Sequence, residues 1–370
     1  MLLHWQQQIN RIKIRNRRSK GSTKQKMNIR YFSKSLAIGL LTLLLSSLST
    51  VSAQPTAQVT PPSADASVYT DNRSTAASLI LSYYNAINRK EYVRAYSYWD
   101  GTPAELQPFP QYAAGFANTT SAQVTIGIIS TGVGAGQIYY SVPVTLVAQL
   151  TNSITQIYVG CFTLHLANPA IQAAPPFTPL GISSAHLSQV GSTVNSADLM
   201  TRACPDQGNQ PLAATPDLGS DPQAIDAARY IDDRSDPVAV LRSLFNALNR
   251  KEYARAYSYW DTVGGIPAQL PAFDQFQQGY SDTASARLIA GIVTSDAGAG
   301  QLNYSVPVTL LAQTTAGATR IFVGCYQLHL SQPAIQGIPP FRPLGITGAQ
   351  IKQVPNDSNT AALMGQSCAL

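Results

Sequence analysis

Charge is scarce in this chain: only 12% of its residues are Asp, Glu, Lys or Arg, against 45% hydrophobic ones. That balance excludes a disordered polyelectrolyte and fits a folded protein. The first 53 residues contain no carboxylate at all but ten Lys or Arg. Without them, 15 basic residues face 19 acidic ones, a formal charge of −4. The basic character of the whole therefore belongs to a leader, and nucleic-acid binding loses its main support. Histidine is equally sparse, with four residues, and no His or Cys stands at metal-ligand spacing beside another. Zinc-protease and nucleophile-elbow motifs are absent. Neither Gly134-Ala135-Gly136 nor Gly298-Ala299-Gly300 is followed by the lysine of a phosphate-binding loop.

The leader has the parts of an export signal: Arg30 and Lys34, an apolar run from Leu36 to Leu48, and small residues at Val51-Ser52-Ala53. Residues 1–53 are read as a signal peptide cleaved after Ala53, with Met27 the expected start. The chain is thus expected to be secreted or extracytoplasmic, in the cell envelope. The alternative is a single-pass N-terminal anchor, since 36–53 is near the minimum for a span, though its second half is rich in serine. No cysteine follows the cleavage site, which argues against a lipid anchor. A Pro/Ala/Thr/Gln-rich stretch, 54–68, reads as a tether.

The strongest signal is internal repetition. Asn88 to Asp100 recurs as Asn249 to Asp261 with one change, Val93 to Ala254, at an offset of 161. Tyr140 to Leu146 matches Tyr304 to Leu310, and Val159-Gly160-Cys161 matches Val323-Gly324-Cys325, at an offset of 164. A period this long is a duplicated domain rather than a solenoid. Copy 1 spans 69–204, a linker 205–229, and copy 2 230–370.

Each copy reads helix first. Leu79, Ile80, Tyr83, Tyr84 and Ile87 share one helical face, as do Val240, Leu241, Leu244, Phe245 and Leu248. Thr75 and Asp236-Pro237 supply start signals, and Asn88 and Asn249 are expected to end these helices in a left-handed conformation. A short helix is expected to put Tyr92, Ala95, Tyr96 and Trp99 on one face, and a third to carry Phe109, Tyr112 and Phe116, matched by Phe273, Phe276 and Tyr280. Four strands follow, near 124–129, 138–147, 161–166 and 182–189, with 132–136 as the first turn. Pro143 and Pro307 mark an edge or a bulge. The class is α+β. Each copy holds two cysteines 43 residues apart, Cys161 with Cys204 and Cys325 with Cys368. The repeat favours disulfides within each copy, as expected of an exported protein.

The helix ending Ala-Ile-Asn-Arg-Lys-Glu-Tyr, the following Arg-Ala-Tyr-Ser-Tyr-Trp, the Phe276 to Tyr280 segment and the four strands together resemble the nuclear transport factor 2-like superfamily, whose cone fold is that of ketosteroid isomerase. The resemblance covers nearly all of both copies. It implies two tandem cone-shaped domains of an uncharacterised exported bacterial branch, each with about three N-terminal helices on a curved four-stranded antiparallel sheet. It does not choose a function, because the superfamily includes isomerases, dehydratases, binding modules and structural partners.

Catalytic candidates are poor. His165 and His329 alternate with apolar residues and are read as surface residues; Glu91 and Glu252 are read as helix-dipole partners, and Asp100 and Asp261 as turn residues. An aromatic set is the better candidate: Tyr83, Tyr84, Tyr96, Trp99 and Tyr140 in copy 1, with Phe245, Tyr257, Trp260 and Tyr304 in copy 2, as pocket lining or ordinary core. The expected function is a non-enzymatic binding or interaction protein without metal or cofactor, its partner a small apolar ligand or an envelope protein. The alternatives are an isomerase or dehydratase-type lyase of a small apolar molecule, and a structural envelope module. Apolar residues on the sheets' second faces, Ile157 and Val159 or Ile321 and Val323, call for cover. That cover is either the other copy, in an intramolecular pseudo-dimer, or each copy's own C-terminal tail.

Overall fold

The computed structural model describes residues 65–101, 106–205, 210–211, 227–262 and 270–368. The leader, most of the tether and most of the linker lie outside them. Among the described residues no helix is long and apolar enough to cross a membrane.

Helix α1 (Ala76–Asn88) begins where Thr75 accepts a hydrogen bond from the Ser78 N–H at 3.0 Å. Its counterpart in copy 2 (Pro237–Asn249) begins at Asp236, which accepts from Ala239 N at 2.9 Å, with Pro237 in the first turn. Both asparagines expected to turn left-handed stay helical. The left-handed residues are Lys90 and Lys251, with φ of 61° and 60°. Asn88 instead clamps the helix to the sheet, donating to Ala122 O at 2.9 Å and accepting from Ala122 N at 2.7 Å, and Asn249 does the same with Ala286. The strained lysines are held by their ammonium groups, which donate to Thr119 O and Thr283 O.

Two short helices follow, α2 (Tyr92–Ser97) and α3 (Phe109–Ala114), then five strands rather than four: β1 (Thr119–Ile126), β2 (Ser130–Gly134), β3 (Gln137–Leu150), β4 (Thr155–Ala167) and β5 (Gly181–Val190). The glycine-rich stretch read as a turn is mostly strand β2; the turn itself is Ala135-Gly136, both at positive φ. All pairings are antiparallel, in the order β5-β4-β3, with β1 and β2 sharing the far edge of the long β3. Copy 2 repeats this arrangement in a five-stranded sheet, whereas in copy 1 the linker residues Gln210–Pro211 add a sixth strand against β2. The fold is therefore mixed helix and antiparallel sheet, in two tandem copies. Pro143 sits where β3 changes partner from β2 to β1. Its carbonyl there accepts from Gly127 N at 2.8 Å, so its missing N–H falls in the break and costs no ladder bond. Pro307 and Gly291 repeat the device. Gly160 and Gly324 have a different reason: a Cβ at either would stand 2.0 Å from a carbonyl oxygen of the neighbouring strand.

Both disulfides form as the spacing implied, Cys161 to Cys204 and Cys325 to Cys368, and such bonds belong to an oxidising, extracytoplasmic setting. Each draws the copy's C-terminal tail, with helix α4 (Ser196–Met200) in copy 1, onto the sheet's second face. Met200 lies against Gly127 and Pro143 and takes a weak hydrogen bond from Thr145, the ladder partner of Val159. The tail thus covers the face whose apolar residues called for it. Replacing Cys161 and Cys204 by serine is expected to lower unfolding free energy by about 2–4 kcal/mol, measured by urea titration under non-reducing conditions.

The copies meet through the segments that precede their first helices. Tyr69–Ser74 and Tyr230–Ser235 run antiparallel as straps. Arg73 N donates to Asp232 O and Arg234 N to Asp71 O, both at 2.7 Å; Asp71 N and Asp232 N donate to Ser235 Oγ and Ser74 Oγ, both at 2.9 Å. Tyr69 of copy 1 packs against the hydrophobic core of copy 2. Burial pushes the strap carboxyl of Asp233 up to about 6, with Asp71 and Asp236 adding to the rise and Ser235 donors opposing it. The folded chain thus holds this proton more tightly than the unfolded one. Its contribution to stability is greatest below about 4 and is lost as pH rises through 6, by up to about 3 kcal/mol. Urea titrations from pH 4 to 7 are expected to show this decline, and Asp233→Asn to flatten it.

The most repeated part of the sequence builds the hold on these straps. Arg94 and Arg255 are fully buried. Arg94 Nε donates to Glu91 Oε2 at 2.6 Å and its Nη2 to Asn85 Oδ1 at 2.8 Å, while Nη1 reaches the strap carbonyl of Thr70. Tyr98, also fully buried, donates to the strap carboxylate of Asp71 at 2.8 Å. Arg255, Glu252, Asn246, Tyr259, Ile231 and Asp232 repeat every bond. Glu91 and Glu252, at the N-caps of their short helices, are thus also buried ion-pair partners.

Candidate functional site

Between the helices and the sheet of copy 2 lies a cavity of about 430 Å³. Helix α5 (Pro237–Asn249) supplies Phe245, the end of the next short helical segment Trp260, and helix α7 (Phe273–Gly279) Phe276, with Tyr280 just beyond it. The floor is the sheet: Ala286, Leu310 and Ala312, then Phe322 and Tyr326 on one strand and Ala349 and Ile351 on the next. The wall is aromatic because these positions alternate along strands and recur along helix faces, so one face of every element converges on the same space.

Gln275, Thr283 and Thr314 interrupt it with polar side chains. The indole Nε1 of Trp260 is buried and has no hydrogen-bond partner, and the same holds for Trp99 in copy 1. Burial, with Tyr280 beside it, pushes the Tyr326 hydroxyl well above the usual phenol range, and burial pushes Tyr280 up to about 12. Both phenols stay protonated at physiological pH, and the same low dielectric disfavours any negative charge placed among them. At the mouth, Arg320 and Asp282 form an ion pair at 2.8 Å, about half exposed. Among the described residues they are the only charged residues of the lining, and no histidine belongs to it.

The corresponding space in copy 1 is furnished differently. Leu244 and Phe276 of copy 2 stand where copy 1 has Tyr83 and Tyr112, whose hydroxyls bond to each other at 3.1 Å. Tyr83 sits edge-on to Tyr84, Trp99 and Phe162 with ring centroids 5.1 to 6.5 Å apart. Burial pushes the Tyr83 hydroxyl up to about 12, with the Tyr112 donor opposing. The ring and hydroxyl that copy 2 lacks are thus ones that copy 1 uses to tie its aromatic cluster together.

Of the aromatic candidates, Phe245 and Trp260 line the copy 2 cavity and Tyr83, Tyr84 and Trp99 form the copy 1 cluster. Tyr96 and Tyr257 stand just behind, edge-on to Tyr112 at 5.1 Å and Phe276 at 5.3 Å, with their hydroxyls donating to Gln107 O at 3.1 Å and Pro271 O at 3.0 Å. Tyr304 lines a separate space beside the strap residue Tyr69, and Tyr140 stands at the equivalent position of copy 1. Phe322, Tyr326 and Arg320 were not among the site candidates, because nothing local distinguishes them from ordinary strand residues, and Phe276 and Tyr280 were placed on the third helix but not at the site. The histidines are not plain surface residues: His165 Nδ1 lies 2.5 Å from Asp100 and Nε2 2.6 Å from Gln137, beneath a stacked Tyr139, and His329 pairs with Asp261 and Gln301. With both ring nitrogens engaged, they serve as cross-links between the sheet and the helix-end carboxylates.

Among the described residues no group of three or more His, Cys, Asp or Glu could hold a metal ion. Comparison with protein-family models, curated proteins and solved structures finds no match to this chain.

Proposed function

We propose that this chain is an exported, non-enzymatic binding protein of two nuclear transport factor 2-like cone domains, and that the copy 2 cavity holds a small, uncharged, largely apolar molecule. The observation that carries the reading is the largely aromatic cavity between the helices and the sheet of copy 2. Its volume falls in the range of small-molecule pockets, which pair an apolar lining with a few orienting polar groups. Binding is favoured over isomerase or lyase chemistry by the lining: proton transfer needs a base beside the substrate, and among the described residues the single carboxylate of the lining, Asp282, sits at the mouth tied to Arg320. The leader's signal pattern and the two disulfides support export, with cleavage after Ala53.

A matched pair of dyes tests the ligand class. N-phenyl-1-naphthylamine, which is neutral, is expected to bind with a micromolar Kd and enhanced emission. 1-Anilinonaphthalene-8-sulfonate, which adds a fixed charge to the same ring system, is expected to bind at least tenfold more weakly. Equal affinity for the two, or none for the neutral dye, contradicts the proposal.

A further inference from the structure

The two straps are nearly symmetric, and the place where the symmetry breaks is their centre. Asn72 and Asp233 face each other there as an isolated antiparallel bridge, and Asn72 Nδ2 donates to Asp233 Oδ2 at 2.8 Å. Each side chain is oriented by its own turn: Asn72 Oδ1 accepts from Ser74 N and Asp233 Oδ1 from Ser235 N, both at 2.9 Å. With one oxygen of each committed locally, the atom left to face the axis is a donor in copy 1 and an acceptor in copy 2.

We infer that Asn72 and Asp233 form a recognition pair that makes the strap surface of copy 1 fit copy 2 and reject a second copy of itself. Two copy 1 straps would oppose amide N–H groups across the axis. Two copy 2 straps would oppose carboxylates at hydrogen-bond distance in a partly buried site, already crowded by Asp232 and Asp236 from each and flanked by Arg234 from each. The paired backbone bonds and the serine hydroxyls are the same in either direction and carry no such preference. Specificity of this kind comes from the penalty on the wrong pairing as much as from the right bond. The surface therefore selects a copy 1 strap for a copy 2 strap, within one chain or between two.

The test uses the full mature chain with a protease site placed in 212–226, cut after folding, and measures the dissociation constant of the nicked halves for four proteins: the native pair, Asn72→Asp, Asp233→Asn, and the exchange of both. The exchange restores one donor facing one acceptor. The two single substitutions are expected to be coupled, so that the exchanged protein binds at least tenfold more tightly than the product of the single effects. Asn72→Asp is expected to recover most of its affinity between pH 7.5 and 4.5, as one of the two facing carboxylates takes up a proton. Single effects that simply multiply, or native halves that separate at micromolar concentration, overturn the inference. Urea unfolding of the uncut proteins provides a second cycle, in which absence of coupling likewise overturns it.

Discussion

Arg94→Met and Arg255→Met are each expected to cost about 3–5 kcal/mol of unfolding free energy, although neither residue is near the cavity. Each guanidinium is wholly buried and joins a buried glutamate, a helix asparagine and a strap carbonyl. Removing one partner of a buried pair leaves the other desolvated and uncompensated, which is the source of the magnitude. Arg89 and Arg250 remain on the glutamates at 2.7 Å, which places the loss nearer the lower figure. Because the strap carbonyl of Thr70 or Ile231 loses its donor as well, the substitution also weakens the joint between the copies. The companion substitution Glu91→Leu in the Arg94→Met background is expected to recover part of the loss, since two matched apolar side chains need no charge compensation. Urea titration of the three proteins measures this; a single-variant loss below 1 kcal/mol would place the network's role elsewhere.

The same arginines explain what was and was not legible in the sequence. Helix starts were readable because capping is local: Thr75 and Asp236 announce them three residues before the N–H they satisfy. The disulfides were readable because duplication supplies a control, the same 43-residue spacing twice. Pro143 and Pro307 signalled a break in the sheet's edge that the structure has, although the strand there is the central one. Arg94 and Tyr98, by contrast, fell outside the face chosen for the short helix. Periodicity assigns apolar residues inward, and a charged side chain buried by its own partners is invisible to that rule. The signal that was present is repetition itself: the segment changes at one position in thirteen, and its Arg, Glu and inner Tyr make the same buried bonds in both copies.

The cavity was half legible, and for a physical reason. Helical residues such as Phe245 and Trp260 declare themselves by spacing, whereas Phe322 and Tyr326 lie on a strand whose inward residues look alike whether they meet packed core or open space. The two copies furnish this space differently, among other positions by Tyr83 against Leu244 and Tyr112 against Phe276. A reading of either copy alone does not expose them; the comparison of both with the structure does.

Trp99 and Trp260 are the only tryptophans after the leader, so Trp99→Phe leaves a single indole, the one that lines the cavity. Titrating that protein with N-phenyl-1-naphthylamine and exciting the indole reads binding at the proposed site itself, by energy transfer from Trp260 to the dye. Ala349→Phe, made in the same background, directs a ring into the cavity from the sheet and is expected to weaken binding by at least thirtyfold, about 2 kcal/mol, with little change in thermal stability because the space it enters is empty. Saturable quenching of Trp260 that Ala349→Phe abolishes is the predicted result; quenching that survives the substitution unchanged, or no quenching at any dye concentration, would contradict a ligand site in copy 2.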